Sequence, residues 1–245
     1  MNDLTLDKTY KRGDKGNKVK LIQEWLCFHG VHVRMDTDFG PATEAAVKKF
    51  CTQAGLPANG VVDNTVFERL VAPMKAALAP ISPRGKSLGE LVVAYAQQHL
   101  QQHPREIGGE NRGPWVRLYM DSHEGQQWAW CAGFVCFCLK QACNGLGVGL
   151  PITPSFSCDS LAASAKEKGK FLKEPAAGER GKIKPGSIFL VRHTPTDWTH
   201  TGIVVQAEGE IFDTIEGNTN DEGSREGFEV CARTRGYDKK DFIRI

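Results

Sequence analysis

Two structural units are expected in this chain: an all-α three-helix bundle, then an α+β domain built on an antiparallel sheet. Three observations predict them. Apolar residues recur at helical spacing three times within the first part of the chain, and a proline-bearing break in that periodicity follows. Beyond the break, helical patterns give way to short apolar strands, which is an α+β order. With 245 residues, two units of this size can each bury a core.

In the first unit, Val19, Leu21, Ile22, Trp25, Leu26 and Phe28 mark one face of a helix that stops at Gly30, a suitable C-terminal cap. The loop Asp36-Thr37-Asp38-Phe39-Gly40-Pro41 leads into a second helix over 42–50. The turn at Asn59-Gly60 leads into a third over 64–70. The stretch from Ala72-Pro73 to Gly85 loses the periodicity, so the bundle is assigned to 1–76, a linker to 77–86 and the second domain to 87–245. Ser87, with Glu90 three residues on, reads as a capping box opening the next helix. Another helix is expected over 132–142, followed by a glycine-rich turn at 145–149. Strands are expected over 187–192, 201–207, 210–215 and 241–245, the middle two joined by a turn at Glu208-Gly209.

The composition narrows the function. A net charge of +2 without a Lys/Arg run gives no reason to expect a nucleic-acid partner. No stretch of about 18 apolar residues is present, so no membrane span is expected. The opening Met1-Asn2-Asp3-Leu4-Thr5-Leu6-Asp7-Lys8 has no apolar core of a secretory signal, so synthesis in the cytoplasm is expected. Eight cysteines invite a zinc or disulfide reading. The spacing lacks a Cys-x-x-Cys pair, and Cys136-x-Cys138 in a helix points to different faces, so the expectation is no metal and buried thiols that are mostly reduced.

The chemistry centres on Trp130-Cys131-Ala132 at a loop-to-helix junction and on His200 at the start of an apolar strand. A thiol attacks as thiolate, and the positive end of a helix or a neighbouring imidazolium lowers its pKa. His99 and His103 fit the solvated end of a helix. His123 lies nearer Cys131 in sequence but opens no strand, and His193 falls in a loop. His200 is therefore the expected base. An imidazole base needs a third group to hold its tautomer. The returning strand brings Glu216 or Asn218 beside His200, with Glu216 favoured and Asn218 the alternative. Trp115, Trp128, Trp130 and Trp198 flank the pair and either wall a cleft or fill the core, with Trp130 and Trp198 the first candidates for the cleft. Asn111 and Arg112 either bind a carboxylate or form a helix-terminating turn.

Two resemblances sharpen this. Gly13-x-x-Gly16-x-x-Val19-x-x-Ile22-Gln23-x-x-Leu26, Asp38-Phe39-Gly40-x-x-Thr43-x-x-Ala46-Val47-x-x-Phe50 and Gly55-Leu56-x-x-x-Gly60-Val61-Val62 resemble the peptidoglycan-binding domain type 1 over about residues 8–72. Cys51 departs from that pattern, where the family usually has glutamine. In the second half, Asn111-Arg112-Gly113-Pro114-x-Val116, Trp130-Cys131-Ala132-x-Phe134-Val135, Pro185-Gly186-Ser187-Ile188, His200-x-Gly202-Ile203-Val204 and Glu216-Gly217-Asn218 resemble the CHAP-type branch of the NlpC/P60 superfamily. That resemblance implies a papain-like α+β fold and a Cys-His-acid/amide hydrolase of peptidoglycan amide bonds. Many members carry Asn or Asp where Glu216 stands.

The expectation is a peptidoglycan amidase or endopeptidase of the phage-lysin or antibacterial-effector type, with peptidoglycan as partner, acting on the wall after release or delivery. No cofactor is required, and Glu106 with Glu110 are too few acids for a calcium site. The competing readings are a non-catalytic wall-binding protein and a cysteine protease acting on protein.

Overall fold

The computed structural model describes residues 2–220 and 227–245. Its first part is helical: α1 (Asn17–Phe28), α2 (Pro41–Ala54) and α3 (Asn64–Leu78). The glutamine of the first motif explains how the loop between α1 and α2 is fixed. Gln23 is fully buried, and its Nε2 donates to Asp36 Oδ1 (2.9 Å), the Asp38 carbonyl (3.0 Å) and Thr43 Oγ1 (3.0 Å). The Thr37 N–H donates to its Oε1 at 3.2 Å. One side chain thus satisfies a buried cluster that would otherwise be costly. Cys51, the departure from the family pattern, is buried in this core.

Helix α3 runs past the expected boundary, with Pro73 inside it. Its apolar stripe explains the extension: Val66, Phe67, Leu70, Val71, Met74 and Ala77 are all buried, so packing on both sides of the proline holds the helix together. The connection to the second part therefore begins after Leu78 and ends at Ser87. Ser87 caps α4 (Leu88–Leu100) in the expected capping box with Glu90.

Next come α5 (Pro114–Tyr119), α6 (Cys131–Leu146) and α7 (Cys158–Glu167). They are followed by strands β1 (Phe171–Leu172), β2 (Ile188–Thr194), β3 (Asp197–Glu208), β4 (Ile211–Thr219), β5 (Glu229–Gly236) and β6 (Lys240–Ile243). Every pairing is antiparallel, in the order β1-β6-β2-β3-β4-β5. The four expected strands are present with shifted ends. Strands β1 and β5 were not expected: β1 is only two residues long, and β5 (Glu-Val-Cys-Ala-Arg-Thr-Arg-Gly) carries few apolar residues. His200 is the fourth residue of β3 rather than its first, opposite Val191.

The two parts are docked on each other rather than merely tethered. Trp25 of α1 meets Trp115 of α5 edge-on at 6.3 Å, within one continuous set of buried apolar residues. Arg117, also on α5, donates to Glu24 of α1 through Nη2 (2.6 Å) and Nη1 (3.2 Å), and Nη1 also donates to Glu124 (2.8 Å). Gln98 and Gln141 both donate to the Ala77 carbonyl near the end of α3, at 3.0 and 3.2 Å. Removing one member of a buried, hydrogen-bonded ion pair costs about 3–5 kcal/mol, because the other charge stays buried and unpaired.

A shared core makes the halves unfold together. Thermal unfolding is expected as one transition by both tryptophan fluorescence and far-UV circular dichroism, with Glu24→Ala lowering the midpoint of the whole molecule. Two separated transitions, with only the first moved by the substitution, would show independent units.

Candidate active site

Cys131 is the first residue of α6, which packs against β3 and β4. The approach is close because Gly217 of β4 has no side chain: a Cβ there would lie 2.7 Å from Phe134 Cβ and 2.8 Å from the Trp130 ring. The loop ahead of Cys131 is pinned to the same strand, with the Trp130 N–H donating to Asn218 Oδ1 at 2.9 Å. Asn218, with φ of 56°, also donates through Nδ2 to the Gly227 carbonyl at 2.6 Å. Of the two third-residue alternatives, Asn218 therefore ties down the cysteine loop, and Glu216 meets His200.

His200 Nε2 lies 2.9 Å from Glu216 Oε2. Gly202 makes room for this pair, since a Cβ at that position would sit 2.7 Å from Glu216 Cγ. Glu216 is fully buried and satisfied on both oxygens. Thr214 Oγ1 donates to Oε1 at 2.6 Å, and Arg235 donates from Nε to Oε1 and from Nη2 to Oε2, each at 2.5 Å. Burial alone would raise the Glu216 pKa. The bidentate Arg235 guanidinium and then His200 outweigh it and bring the pKa down to about 2. Its stabilising contribution is complete above the ordinary carboxyl range and is lost as pH falls towards that value.

With Nε2 engaged by Glu216, Nδ1 is the ring nitrogen left to face Cys131, the neighbour that contributes to the shift of His200. Burial disfavours the imidazolium, yet the bonds to Cys131 and Glu216 raise the His200 pKa to about 9. Cys131 is shifted the other way, well below an ordinary thiol. A hydrogen bond from Cys158 is the largest cause; burial opposes it, and His200 and the Ala132 N–H add to it. The neighbouring Cys158 is held protonated, because its hydrogen bond to Cys131 and its burial push its own pKa well up. Cys158 is the first residue of α7, which is anchored beside His200 by the Trp198 N–H donating to Asp159 at 2.8 Å. Cys158 was missed in the sequence because nothing in its spacing relates it to Cys131. The arrangement holds a thiolate and an imidazolium side by side, which is the state that attacks a carbonyl.

The other expected site residues fall differently. Trp130 is fully buried, its ring stacked on Tyr119 at 5.5 Å and its Nε1 donating to Glu106 at 2.9 Å. Trp198 is 6% exposed, with Nε1 donating to Asp241 at 2.8 Å. Neither offers a ring face to a ligand, so both correct the expectation of a tryptophan-walled cleft. Half-buried Trp128, stacked on exposed His123 at 4.1 Å, is the tryptophan near Cys131 that reaches the surface. Arg112 is exposed and faces Glu124 at 3.7 Å, whereas Asn111 is buried and lines the cleft. His99, expected at a solvated helix end, is fully buried between the Tyr119 hydroxyl and the Gln141 side-chain oxygen, each at 2.8 Å. That burial brings its pKa down to about 4.

Cys131 opens into a cleft of about 220 Å³ whose walls include Glu106, Glu110, Asn111 and Asn218. A larger cavity of about 550 Å³ lies at the junction of the two parts, around Lys20, Glu24 and Arg117, away from the thiol. Among the described residues no His, Cys, Asp and Glu set is grouped to hold a metal ion, and no helix is long and apolar enough to cross a membrane. All eight cysteines carry free thiols.

The rate of iodoacetamide alkylation at Cys131, followed peptide by peptide in mass spectrometry, reads this electrostatics directly. Cys158→Ala is expected to move the onset of alkylation to higher pH, and Glu216→Gln to do the same by lowering the His200 pKa. Onsets unchanged in both variants would show that neither group acts on the thiol.

Comparison with known proteins bears on the first part of the chain. Residues 15–70 match the family model described as a putative peptidoglycan binding domain. The crystal structure of the SleB N-terminal domain is a structural neighbour at 28% identity and a TM-score of 0.27, covering 27% of this chain and 93% of that one. No curated protein matches the chain. The N-terminal helices α1–α3 thus resemble a peptidoglycan-binding domain over residues 15–70.

Proposed function

We propose that the protein is a peptidoglycan hydrolase that cuts an amide bond through Cys131, as an amidase or an endopeptidase. Its second part is then a papain-like domain of the CHAP and NlpC/P60 kind. The observation that carries the reading is the grouping of Cys131, His200 and Glu216, with His200 Nε2 2.9 Å from Glu216 Oε2, beside a cleft in a chain whose residues 15–70 match a peptidoglycan-binding family model. A buried ion pair of this kind is expensive to assemble, and such strongly shifted groups cluster where chemistry is done.

In the reaction, the Cys131 thiolate attacks the amide carbonyl carbon and the carbonyl π pair moves onto oxygen. Backbone N–H groups of the first turn of α6, which have no acceptor within the helix, face the developing oxyanion. As the C–N bond breaks, the His200 Nδ1 proton passes to the departing nitrogen and leaves a thioester. His200 then takes a proton from water, whose oxygen attacks the thioester and frees the acid and the thiolate. Glu216 keeps Nε2 protonated throughout and stabilises the imidazolium, as the third member of such a triad does. Arg235 holds Glu216 in place.

Docking of the binding domain on the hydrolase sets the cleft at a fixed offset from the bound wall, which raises the local concentration of amide bonds.

The test is purified wild type and Cys131→Ala incubated with purified peptidoglycan, with the soluble products identified by mass spectrometry. Wild type is expected to release fragments whose masses name the bond, while the variant binds the wall and releases none. Binding without release by both proteins would sink the hydrolase reading and leave a wall-binding protein.

A further inference from the structure

The cleft beside Cys131 is one-sided in charge. Glu106 and Glu110 line it, and no cation lines it among the described residues. Glu106 Oε1 accepts from Trp130 Nε1 at 2.9 Å, and Glu110 Oε2 accepts from Gln126 Nε2 at 3.1 Å. Both are neutral donors, so neither carboxylate is neutralised by them. The two arginines that flank this stretch are turned elsewhere. Arg105 lies 4.6 Å over the Phe28 ring and donates to the Phe28 carbonyl, and Arg112 faces Glu124. Burial raises the Glu106 pKa, hydrogen bonds from Trp130 and the Asn111 N–H partly offset it, and Glu110 adds a smaller like-charge repulsion that a cation entering the cleft would relieve.

A second, independent feature is an unpaired acceptor. Asn111, between the two arms of this turn, is 5% exposed and held at φ 50°. Its Nδ2 donates to the Gln126 carbonyl at 3.3 Å, while its Oδ1 is buried without a hydrogen-bond partner. Buried acceptors are rarely left so. An acceptor lacking a donor, in a cleft lined by two carboxylates and, among the described residues, by no cation, matches a group that is both cationic and a multiple donor. A primary ammonium has three donors and one charge.

We propose that Glu106, Glu110 and Asn111 bind a primary ammonium of the substrate, so that the protein acts on stem peptides bearing a free amine near the scissile amide. The ammonium comes either from a free peptide N-terminus or from the side chain of a diamino residue outside a cross-link. At about 220 Å³ the cleft is smaller than sites for drug-sized ligands, and it suits a short peptide segment better than a glycan. Selection of an amine then directs the enzyme to uncross-linked or already trimmed peptides. The inference rests on the hydrolase reading for its chemistry, but its binding component is separable from it.

Four peptides make the test: both amines free, the N-terminus acetylated, the side-chain amine acetylated, and both acetylated. Cleavage by wild type and Glu110→Gln is measured, together with calorimetric binding to Cys131→Ala. One acetylation is expected to lower kcat/KM and affinity about tenfold or more, and to name the source of the ammonium. Double acetylation is expected to act as that single one does, and Glu110→Gln to shrink the difference. Glu110 is exposed, so its substitution does not threaten the fold. Equal cleavage of free and doubly acetylated peptides would overturn this inference and leave the hydrolase standing. No cleavage of any peptide, with Cys131→Ala still preferring the free amine, would uphold the ammonium site and sink the hydrolase. Equal binding of all four would end the proposal.

Discussion

A fully buried carboxylate is the constraint around which the second half of this protein is organised. Glu216 has no access to water, so its charge has to be met within the fold. Arg235 meets it from β5, Thr214 from its own strand and His200 from β3. These partners come from three adjacent strands, so the order β3-β4-β5 is also an electrostatic requirement. Gly202 and Gly217 follow from the same demand. One leaves space for the carboxylate, and the other lets α6 bring Cys131 down onto the strand that carries it.

The charge then passes outward. Glu216 favours the imidazolium of His200, the imidazolium favours the Cys131 thiolate, and the Cys158 thiol stabilises that thiolate from a second helix. The Cys131 thiol is thus held by two helix starts and a strand, and its state is set by neighbours rather than by exposure. The Arg117–Glu24 pair and the Trp25–Trp115 contact lock the N-terminal helices to the same framework.

Much of this was legible in the residues. The helical stripes of the first domain, the capping box at Ser87, a hairpin around Gly209 (turning one residue later, at Gly209-Glu210) and the approach of Glu216 to His200 all follow from periodicity and local chemistry. Where the sequence reading failed, the missing information was long-range. Pro73 looks like a boundary until the packing of Met74 and Ala77 is known. Trp130 and Trp198 look like cleft walls until Glu106 and Asp241 are found on their ring nitrogens. Strand β5 carries too few apolar residues to be seen, and its Arg235 therefore stayed hidden along with the ion pair it makes. Cys158 and Cys131 are 27 positions apart and share no motif. The expected linker gave no sign of the shared core, because a docking face on α1 and α5 has the same pattern as an ordinary helix face.

The most direct measurement of the central claim is the titration of His200 by NMR on protein labelled at histidine, in wild type and in Cys131→Ala. The account expects His200 to be an imidazolium at neutral pH, releasing its proton near pH 9 in wild type and at lower pH once the thiolate is removed. A His200 that is neutral at pH 7 and titrates identically in both proteins would contradict the thiolate–imidazolium pair, and with it the proposed chemistry.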